Sequence, residues 1–261
     1  MKRKSGILLH ISSLPSGYGI GSFGREAYNF VDFLAESGFS VWQVLPFCMP
    51  DGYNSPYKSR AFYSVNPYFI DIDTLVKKGY LTAAEAETAK EREPYVAEYE
   101  RLSEERLELL LKAAERMREN KTELRLMEAF FDASPKIRDA AAFLALSEAN
   151  YGAPWQTWKC NKADPVRLFL WKFIQYEFHN QWATLKSYAN SKGMSIIGDL
   201  PMYVDLDSAD VWGAPDMFQL DADGYPTAVA GVPPDAFAED GQLWGNPLYN
   251  YDKMKEDGYA F

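Results

Sequence analysis

Short apolar runs alternate with a helical pattern at the start of the chain. Residues 7–9 are an apolar run that ends at His10, and residues 41–45 are a second one. Between them, residues 25–37 carry apolar side chains at helical spacing, and Gly38 follows as a helix-ending residue. Strand, helix and strand within about 40 residues predict a βαβ unit, which is the building block of parallel sheets.

The middle of the chain has a different composition. Residues 80–151 contain no glycine and are rich in Glu, Ala, Leu, Arg and Lys, all of which are good helix formers. The charged residues among them are expected on the exposed faces of the helices. Pro94 and Pro135 interrupt this pattern, since proline ends or begins a helix. The sequence therefore predicts several helices rather than one.

A long helix and a third strand follow. Asp164 is a suitable N-cap, Pro165 suits the first helical position, and Gly193 marks the end of the helix. Residues 194–197 form the next apolar run and lead directly to Asp199. This order of elements predicts an α/β protein, and periodicity leaves both a barrel and an open doubly wound sheet as possible architectures.

The segment after the third strand is predicted to be a long loop. Residues 193–250 hold six of the 15 prolines, and proline is poorly tolerated inside helices and central strands.

Charge and cysteine content narrow the class of protein. The formal net charge of −10 disfavours nucleic acids and anionic membranes as partners, because both attract positive surfaces. Cys48 and Cys160 are far apart in the sequence and give neither a disulfide framework nor paired metal ligands. The first apolar run is too short for a signal peptide, so we expect a cytoplasmic protein.

Gly19, Gly21 and Gly24 match the G-x-G-x-x-G pattern of dinucleotide-binding loops. The pattern begins several residues after the first strand instead of directly after it. The acidic residue expected at the end of the second strand is absent, because residues 41–46 read VWQVLP. We therefore expect that these glycines do not bind a dinucleotide and that the protein has no bound cofactor.

Polar and aromatic residues cluster after each predicted strand, where parallel α/β folds gather their binding groups. His10 follows the first strand, the loop 46–67 follows the second, and a segment that begins at Asp199 follows the third. The loops combine aromatic rings with carboxylates and amides, a mixture that suits sugars. No Cys/His cluster is available for a metal. From the residues alone, Asp199 with Asp235 or Glu239 is the best candidate for a catalytic carboxylate pair.

Four motifs identify a family that the sequence resembles. They are GILLHISSLPSGYGIGSFG (6–24), GYNSPYKSRAFYSVNPYFIDID (52–73), IIGDLPMYVDLDSADVW (196–212) and VAGVPPDAFAEDGQLWGNPLYNY (229–251). In this order they resemble the 4-α-glucanotransferases, or amylomaltases, of glycoside hydrolase family 77. The resemblance implies the N-terminal part of a (β/α)8 TIM barrel, comprising strands 1–3, with a helical insertion after strand 2. The implied domains are a partial barrel of residues 1–73 and 165–261 and an insertion of residues 74–164.

The resemblance also implies a reaction and its substrate-binding residues. An α-1,4-glucan segment is transferred with retention, through a glucosyl-enzyme, to the 4-hydroxyl of an acceptor glucan. Asp199 matches a residue that contacts the sugar at the cleavage subsite. Ser55 and Tyr57 match the S-P-Y motif, whose tyrosine stacks near that sugar. Tyr53 resembles an aromatic residue of a secondary glucan contact.

The last motif contributes the remaining candidates for sugar binding. Trp244, Asn246 and Pro247 match the W-G-N-P motif that lines the donor groove. Residues 231–239, with Asp235, match a loop that folds over bound glucan.

The catalytic carboxylates of the family are expected after Phe261, so none is assigned within the chain. The resemblance makes Asp199, Asp235 and Glu239 binding or loop residues instead of catalysts. It also implies that the C-terminal half of the barrel is a required partner and that the isolated chain is inactive. The alternative function is that of a non-catalytic maltooligosaccharide-binding fragment.

Overall fold

Three short strands form a parallel sheet in the computed structural model, which describes residues 3–50, 54–90 and 93–261. Their order is β1-β2-β3, with bounds Gly6–Leu8 (β1), Val41–Gln43 (β2) and Ser195–Ile197 (β3). Ile7 lies beside Trp42, which in turn lies beside Ile196. The three predicted strands and the α/β class are therefore confirmed. β2 and β3 are shorter than their apolar runs, whereas β1 is as long as its run but begins one residue earlier.

Helix α1 (Arg25–Glu36) connects β1 to β2. It buries Ala27, Val31 and Leu34, whose spacing of three and four residues places them on one face. Gly38 follows with a φ of +79°, a left-handed conformation that glycine adopts without steric cost. The βαβ unit is therefore present as predicted.

The glycine-free region is helical, as the composition predicts. Helix α2 (Ile72–Lys77) precedes this region. The helices within it are Ala83–Thr88 (α3), Tyr99–Met117 (α4), Lys121–Asp132 (α5) and Pro135–Ala149 (α6). Pro135 begins α6, in agreement with the prediction. The boundary between α4 and α5 was not predicted, and it lies at Asn120, whose side chain accepts the N–H groups of Thr122 and Glu123.

Helix α7 (Pro165–Ser191) is the longest in the described part of the chain. The Asp164 carboxylate accepts the N–H of Val166 (2.7 Å), so the predicted N-cap is confirmed. Gly193 has a φ of +79° just after the last turn and lets the chain reverse into β3.

The segment predicted as a long loop contains regular structure, so that prediction is wrong. β4 (Val229–Val232) and β5 (Gln242–Pro247) form an antiparallel hairpin, flanked by the short helices α8 (Ala209–Gly213) and α9 (Tyr251–Glu256). The prolines do not prevent the pairing, because Pro233 and Pro234 lie in the hairpin loop and Pro247 is the last residue of β5.

The chain divides into two compact units. The first comprises residues 1–47, 65–135 and 169–200, and the second comprises 48–64, 136–168 and 201–261. The first unit contains the parallel sheet and a cluster of aromatic rings in which Phe23 packs against Phe178 at 4.7 Å. The second has its core at Val204, Val211 and Phe218.

The boundaries predicted for the insertion, residues 74–164, do not coincide with either unit, since the compact units divide that segment near Pro135. The predicted domain boundaries therefore stay a prediction. No helix among the residues described is both long enough and apolar enough to cross a membrane.

Candidate functional site

His10 lies just beyond the carboxyl end of β1, and its ring is buried. The ring stacks on Phe47 (5.6 Å between centroids) and meets the edge of Phe69 (5.2 Å). Its Nδ1 accepts the N–H of Leu45 at 3.2 Å. Burial lowers the pKa of His10 from 6.5 to about 4, since the charged imidazolium is poorly solvated there. A neutral His10 therefore fixes the chain at the end of β2.

Replacing His10 by asparagine should reduce the loss of unfolding free energy that occurs as the pH falls from 7 to 4. The unfolded chain takes up a proton on histidine below about pH 6.5, whereas the folded chain does so only near pH 4. The free energy of unfolding therefore falls as the pH drops through this window, by roughly 3 kcal/mol from His10 alone. His10→Asn keeps an acceptor for Leu45 but does not titrate.

The measurement is urea unfolding at pH 7 and pH 4, followed by circular dichroism. The wild type should lose more stability than His10→Asn by approximately the stated amount. Equal losses in both proteins would show that His10 does not carry this pH dependence.

The glycine motif is explained by close packing. A Cβ atom at Gly21 would collide with the backbone oxygen of Ile11, and one at Gly24 would collide with the carboxylate of Asp71. Ser22 donates to the same carboxylate at 3.3 Å. A buried carboxylate beside the start of α1 repels a pyrophosphate. The close contacts thus give Gly21 and Gly24 a structural role.

Asp199 lies two residues after β3, at the same edge of the sheet as His10, because the strands are parallel. Its side chain is exposed, and its Oδ1 accepts the N–H of Leu200 at 2.8 Å. An exposed carboxylate at the carboxyl end of a strand is placed to accept hydrogen bonds from a bound hydroxyl compound.

The W-G-N-P residues lie on β5 in the second unit. Trp244 is 40% exposed, and its ring meets the edge of Tyr203 at 6.1 Å. Asn246 is buried and donates from Nδ2 to the carbonyl of Val204 at 2.8 Å, and Pro247 is buried beside it. The amide therefore anchors the strand, while the indole ring is presented to solvent.

The S-P-Y motif lies in the same unit. The ring of Tyr57 is 47% exposed, and the Tyr57 N–H donates to the hydroxyl of Ser55 at 3.3 Å. Ser55 thus shapes the turn that presents Tyr57. Tyr53, the candidate for a secondary glucan contact, falls outside the described residues.

Asp235 lies in the loop of the β4–β5 hairpin and is exposed. Its Oδ1 accepts the N–H groups of Phe237 (2.8 Å) and Ala238 (2.9 Å). These bonds are those of a turn-stabilising aspartate. The structure thus gives Asp235 a role in the shape of the loop, and its predicted contact with glucan stays a prediction.

One carboxylate of the second unit is buried. Asp210 accepts the N–H of Phe62 at 2.7 Å, and burial raises the pKa of its carboxyl from 3.8 to about 6. Burial also raises the pKa of Tyr249 to about 12, with the charge of Asp210 as the next cause. The ring of Tyr249 stacks on the ring of Tyr203, with 6.2 Å between the centroids. Tyr203 in turn contacts Trp244.

The predicted residues thus fall into two groups. His10 and Asp199 belong to the first unit, and the second unit holds Ser55, Tyr57, Asp235, Trp244, Asn246 and Pro247. Residues 201–210 link the two motifs within the second unit, since Val204 holds β5 and Asp210 holds Phe62. Among residues 3–50, 54–90 and 93–261, no three His, Cys, Asp or Glu side chains are grouped so that they could hold a metal ion.

The supporting residues Arg60 and Tyr249 were not singled out from the sequence. Arg60 pairs with Asp207 at 2.8 Å, and the Tyr249 hydroxyl donates to the carbonyl of Met202 at 3.0 Å. The sequence signal that could have identified Arg60 is a pair of segments of opposite charge, with Lys58 and Arg60 in one and aspartates in the other. The sequence does not show that these two segments lie side by side. Chemically, the second unit offers exposed aromatic rings on a hydrogen-bonded support.

Comparisons with known proteins identify the relatives of this chain. The family model described as Glyco_hydro_77, 4-alpha-glucanotransferase, matches residues 9–261. The 4-alpha-glucanotransferase of Aquifex aeolicus is 41% identical over 99% of this chain and 55% of that protein. The chloroplastic/amyloplastic 4-alpha-glucanotransferase of Solanum tuberosum is 37% identical over the whole of this chain and 48% of that protein.

A solved structure shows the same fold. The amylomaltase of Streptococcus agalactiae, in complex with acarbose, superposes with a TM-score of 0.94 at 39% identity. The match covers 99% of this chain and 55% of that one. The chain thus spans about half the length of the relatives it matches, and it belongs to glycoside hydrolase family 77, the family of the 4-alpha-glucanotransferases.

Proposed function

We propose that this chain forms the donor-side sugar groove of a 4-α-glucanotransferase that acts on α-1,4-glucans. The observation that carries the proposal is the presentation of Trp244, whose exposed ring stands beside Tyr203 on a strand anchored by Asn246. Aromatic rings of this kind cover the apolar face of a sugar. The amylomaltase that superposes on the chain is in complex with acarbose, which supports an oligosaccharide as the ligand.

The proposed reaction is a retaining double displacement. A carboxylate attacks the anomeric carbon while a general acid protonates the leaving sugar, and the 4-hydroxyl of an acceptor glucan then takes up the glucosyl group. In this scheme Asp199 of the first unit accepts hydrogen bonds from sugar hydroxyl groups, and Tyr57 and Trp244 of the second unit stack on sugar rings. The reacting carboxylates are expected on strands that follow residue 261 in the family, so we expect the isolated chain to bind glucan without transferring it.

The proposed architecture is the first part of a (β/α)8 barrel. β1 and β3 form the outer edges of the parallel sheet, and Leu8, Ile197 and Leu200 are exposed on or beside these strands. Apolar side chains at open sheet edges favour further strands as partners. The remaining strands of the barrel are the partner that we propose. A cytoplasmic location is part of the proposal, and the acidic charge supports neither nucleic acid nor an anionic membrane as a partner.

Removing the indole ring of Trp244 tests the proposal. Binding of maltoheptaose is measured by isothermal titration calorimetry for the wild-type chain and for Trp244→Ala. The substitution should weaken binding about fivefold or more, since a central aromatic contact contributes more than about 1 kcal/mol. No saturable binding by the wild-type chain would contradict the proposed function.

Tyr95→Ala is the matched control, because Tyr95 is an aromatic residue that is 84% exposed in the first unit. Its affinity for maltoheptaose should equal that of the wild type. Disproportionation of maltotriose by the same chain is assayed in parallel and should be absent. If transfer occurs and Asp199→Asn alone abolishes it, Asp199 is the catalytic carboxylate and its role as a binding residue is wrong.

A further inference from the structure

Two segments of the second unit are joined residue by residue. Residues 58–62 follow the S-P-Y motif, and residues 205–210 follow β3. The pairs are Lys58 with Asp205 (3.4 Å), Arg60 with Asp207 (2.8 Å) and the Phe62 N–H with Asp210 (2.7 Å). Three alternate residues of the first segment thus each meet a carboxylate of the second.

Arg60 forms the middle one of these three pairs. Its Nη2 donates both to Asp207 Oδ2 and to the hydroxyl of Ser147, each at 2.8 Å, and Ser147 is buried on α6. The other oxygen of Asp207 accepts the N–H of Trp155 at 3.1 Å. The backbone carbonyl of Arg60 accepts the N–H of Ala209 at 2.8 Å. One side chain therefore joins the S-P-Y loop to two other parts of the unit.

These bonds act on the chain directly after Tyr57. The hydroxyl of Ser59 donates to the carbonyl of Met49 (2.7 Å) and accepts the N–H of Ala61 (3.1 Å), so residues 59–62 are held at each step. Tyr57 itself is about half exposed. The direction in which its ring points is thus determined by a backbone that Arg60 and its neighbours hold in place.

We propose that Arg60 is a positioning residue: its bonds to Asp207 and Ser147 hold the S-P-Y loop in the conformation that presents Tyr57 to glucan. The inference rests on the proposed function of glucan binding. Both members of the ion pair are partly exposed, and such a pair contributes little to global stability. Its loss should therefore act on the loop and leave the fold in place.

The test is a double-mutant cycle on binding of maltoheptaose, measured by calorimetry. Arg60→Met keeps the length of the side chain but removes its charge and donors, and it should weaken binding about fivefold. In the Tyr57→Ala background the same change should have almost no effect, because Arg60 acts through Tyr57. Arg60→Lys retains a cation with donors and should recover part of the affinity.

Arg138→Met is the matched control, since Arg138 is an exposed arginine of α6 in the same unit. It should leave affinity unchanged in both backgrounds. Equal effects of Arg60→Met with and without Tyr57 would overturn the proposal, as would unchanged affinity in Arg60→Met. A purely structural role produces the first of these results, because a loss of stability does not depend on the ring of Tyr57.

Hydrogen–deuterium exchange of residues 55–62 separates this inference from the proposed function. Faster exchange in Arg60→Met, confined to this loop and the paired residues 205–210, upholds the positioning role even if the wild-type chain binds no maltoheptaose. In that case only the proposed function fails. Unchanged exchange of the loop overturns the positioning role whatever the calorimetry shows.

Discussion

Gly21→Ala is expected to lower the free energy of unfolding by about 4 kcal/mol or more. A Cβ atom at this position would overlap the carbonyl oxygen of Ile11, and it would also lie 2.8 Å from the carbonyl oxygen of Leu14. Both neighbours are backbone atoms, so the strain is not relieved by a side-chain rotation. The measurement is urea unfolding at neutral pH, followed by circular dichroism and by tryptophan fluorescence.

Gly17→Ala is the matched control for this experiment. Gly17 belongs to the same loop, and apart from Gly17 and its two chain neighbours no described residue has a heavy atom within 4 Å of the position that its Cβ would occupy. Its substitution should change stability by less than about 0.5 kcal/mol. Equal stabilities of the two variants would contradict the close packing at Gly21 and reopen the question of why the loop contains a G-x-G-x-x-G pattern.

Arg106→Met is expected to cost about 3 kcal/mol or more of folding stability. Arg106 lies on α4 and is 3% exposed. Its guanidinium donates to the carbonyls of Tyr18 (2.7 Å), Tyr68 (3.2 Å) and Ile70 (3.4 Å). Burial lowers the pKa of Arg106 to about 10, which still leaves it charged at neutral pH. Methionine fills the volume but leaves these carbonyls without their donor.

Lys112→Met is the control, since Lys112 is an exposed residue of the same helix. It should leave the urea midpoint nearly unchanged. Arg106→Lys should remain strongly destabilised, because one ammonium group does not reproduce the fork that reaches three carbonyls. Wild-type stability in Arg106→Lys would show that charge alone, rather than the geometry of the guanidinium, stabilises this site.

Both substitutions concern the same part of the first unit, where the loop after β1 meets the loop after β2. Gly24 packs against Asp71, and the N–H of Phe23 donates to the carbonyl of Phe69 at 2.9 Å. Arg106 joins the carbonyls of Tyr18 and Ile70 across the same boundary. These loops are therefore joined to each other by close packing and hydrogen bonds within the first unit, whereas the exposed aromatic rings proposed for sugar binding belong to the second unit.

Much of the α/β pattern follows from local signals. The cap at Asp164 and the glycine at Gly193 define the long helix, because a helix begins and ends through hydrogen bonds and φ angles within a few residues. The alternation of apolar runs and helical periodicity predicted the parallel strands for the same reason. The motifs also located the candidate sugar-binding residues, since the family resemblance depends on the order of residues alone.

Tertiary structure alone decided how these residues are used. The pairing of β4 with β5 and the bonds between Arg60 and Asp207 join residues that are distant in sequence, so the local pattern of prolines and charges did not predict them. The same is true of Gly24, whose role depends on the carboxylate of Asp71. Local signals and the order of the motifs along the chain were enough to predict the parallel strands, α1, the helical middle region, α7 and the family, whereas α8 and α9 were not predicted. Only the fold decided which side chains support the site and which face solvent, because burial and pairing depend on residues brought together from distant parts of the chain.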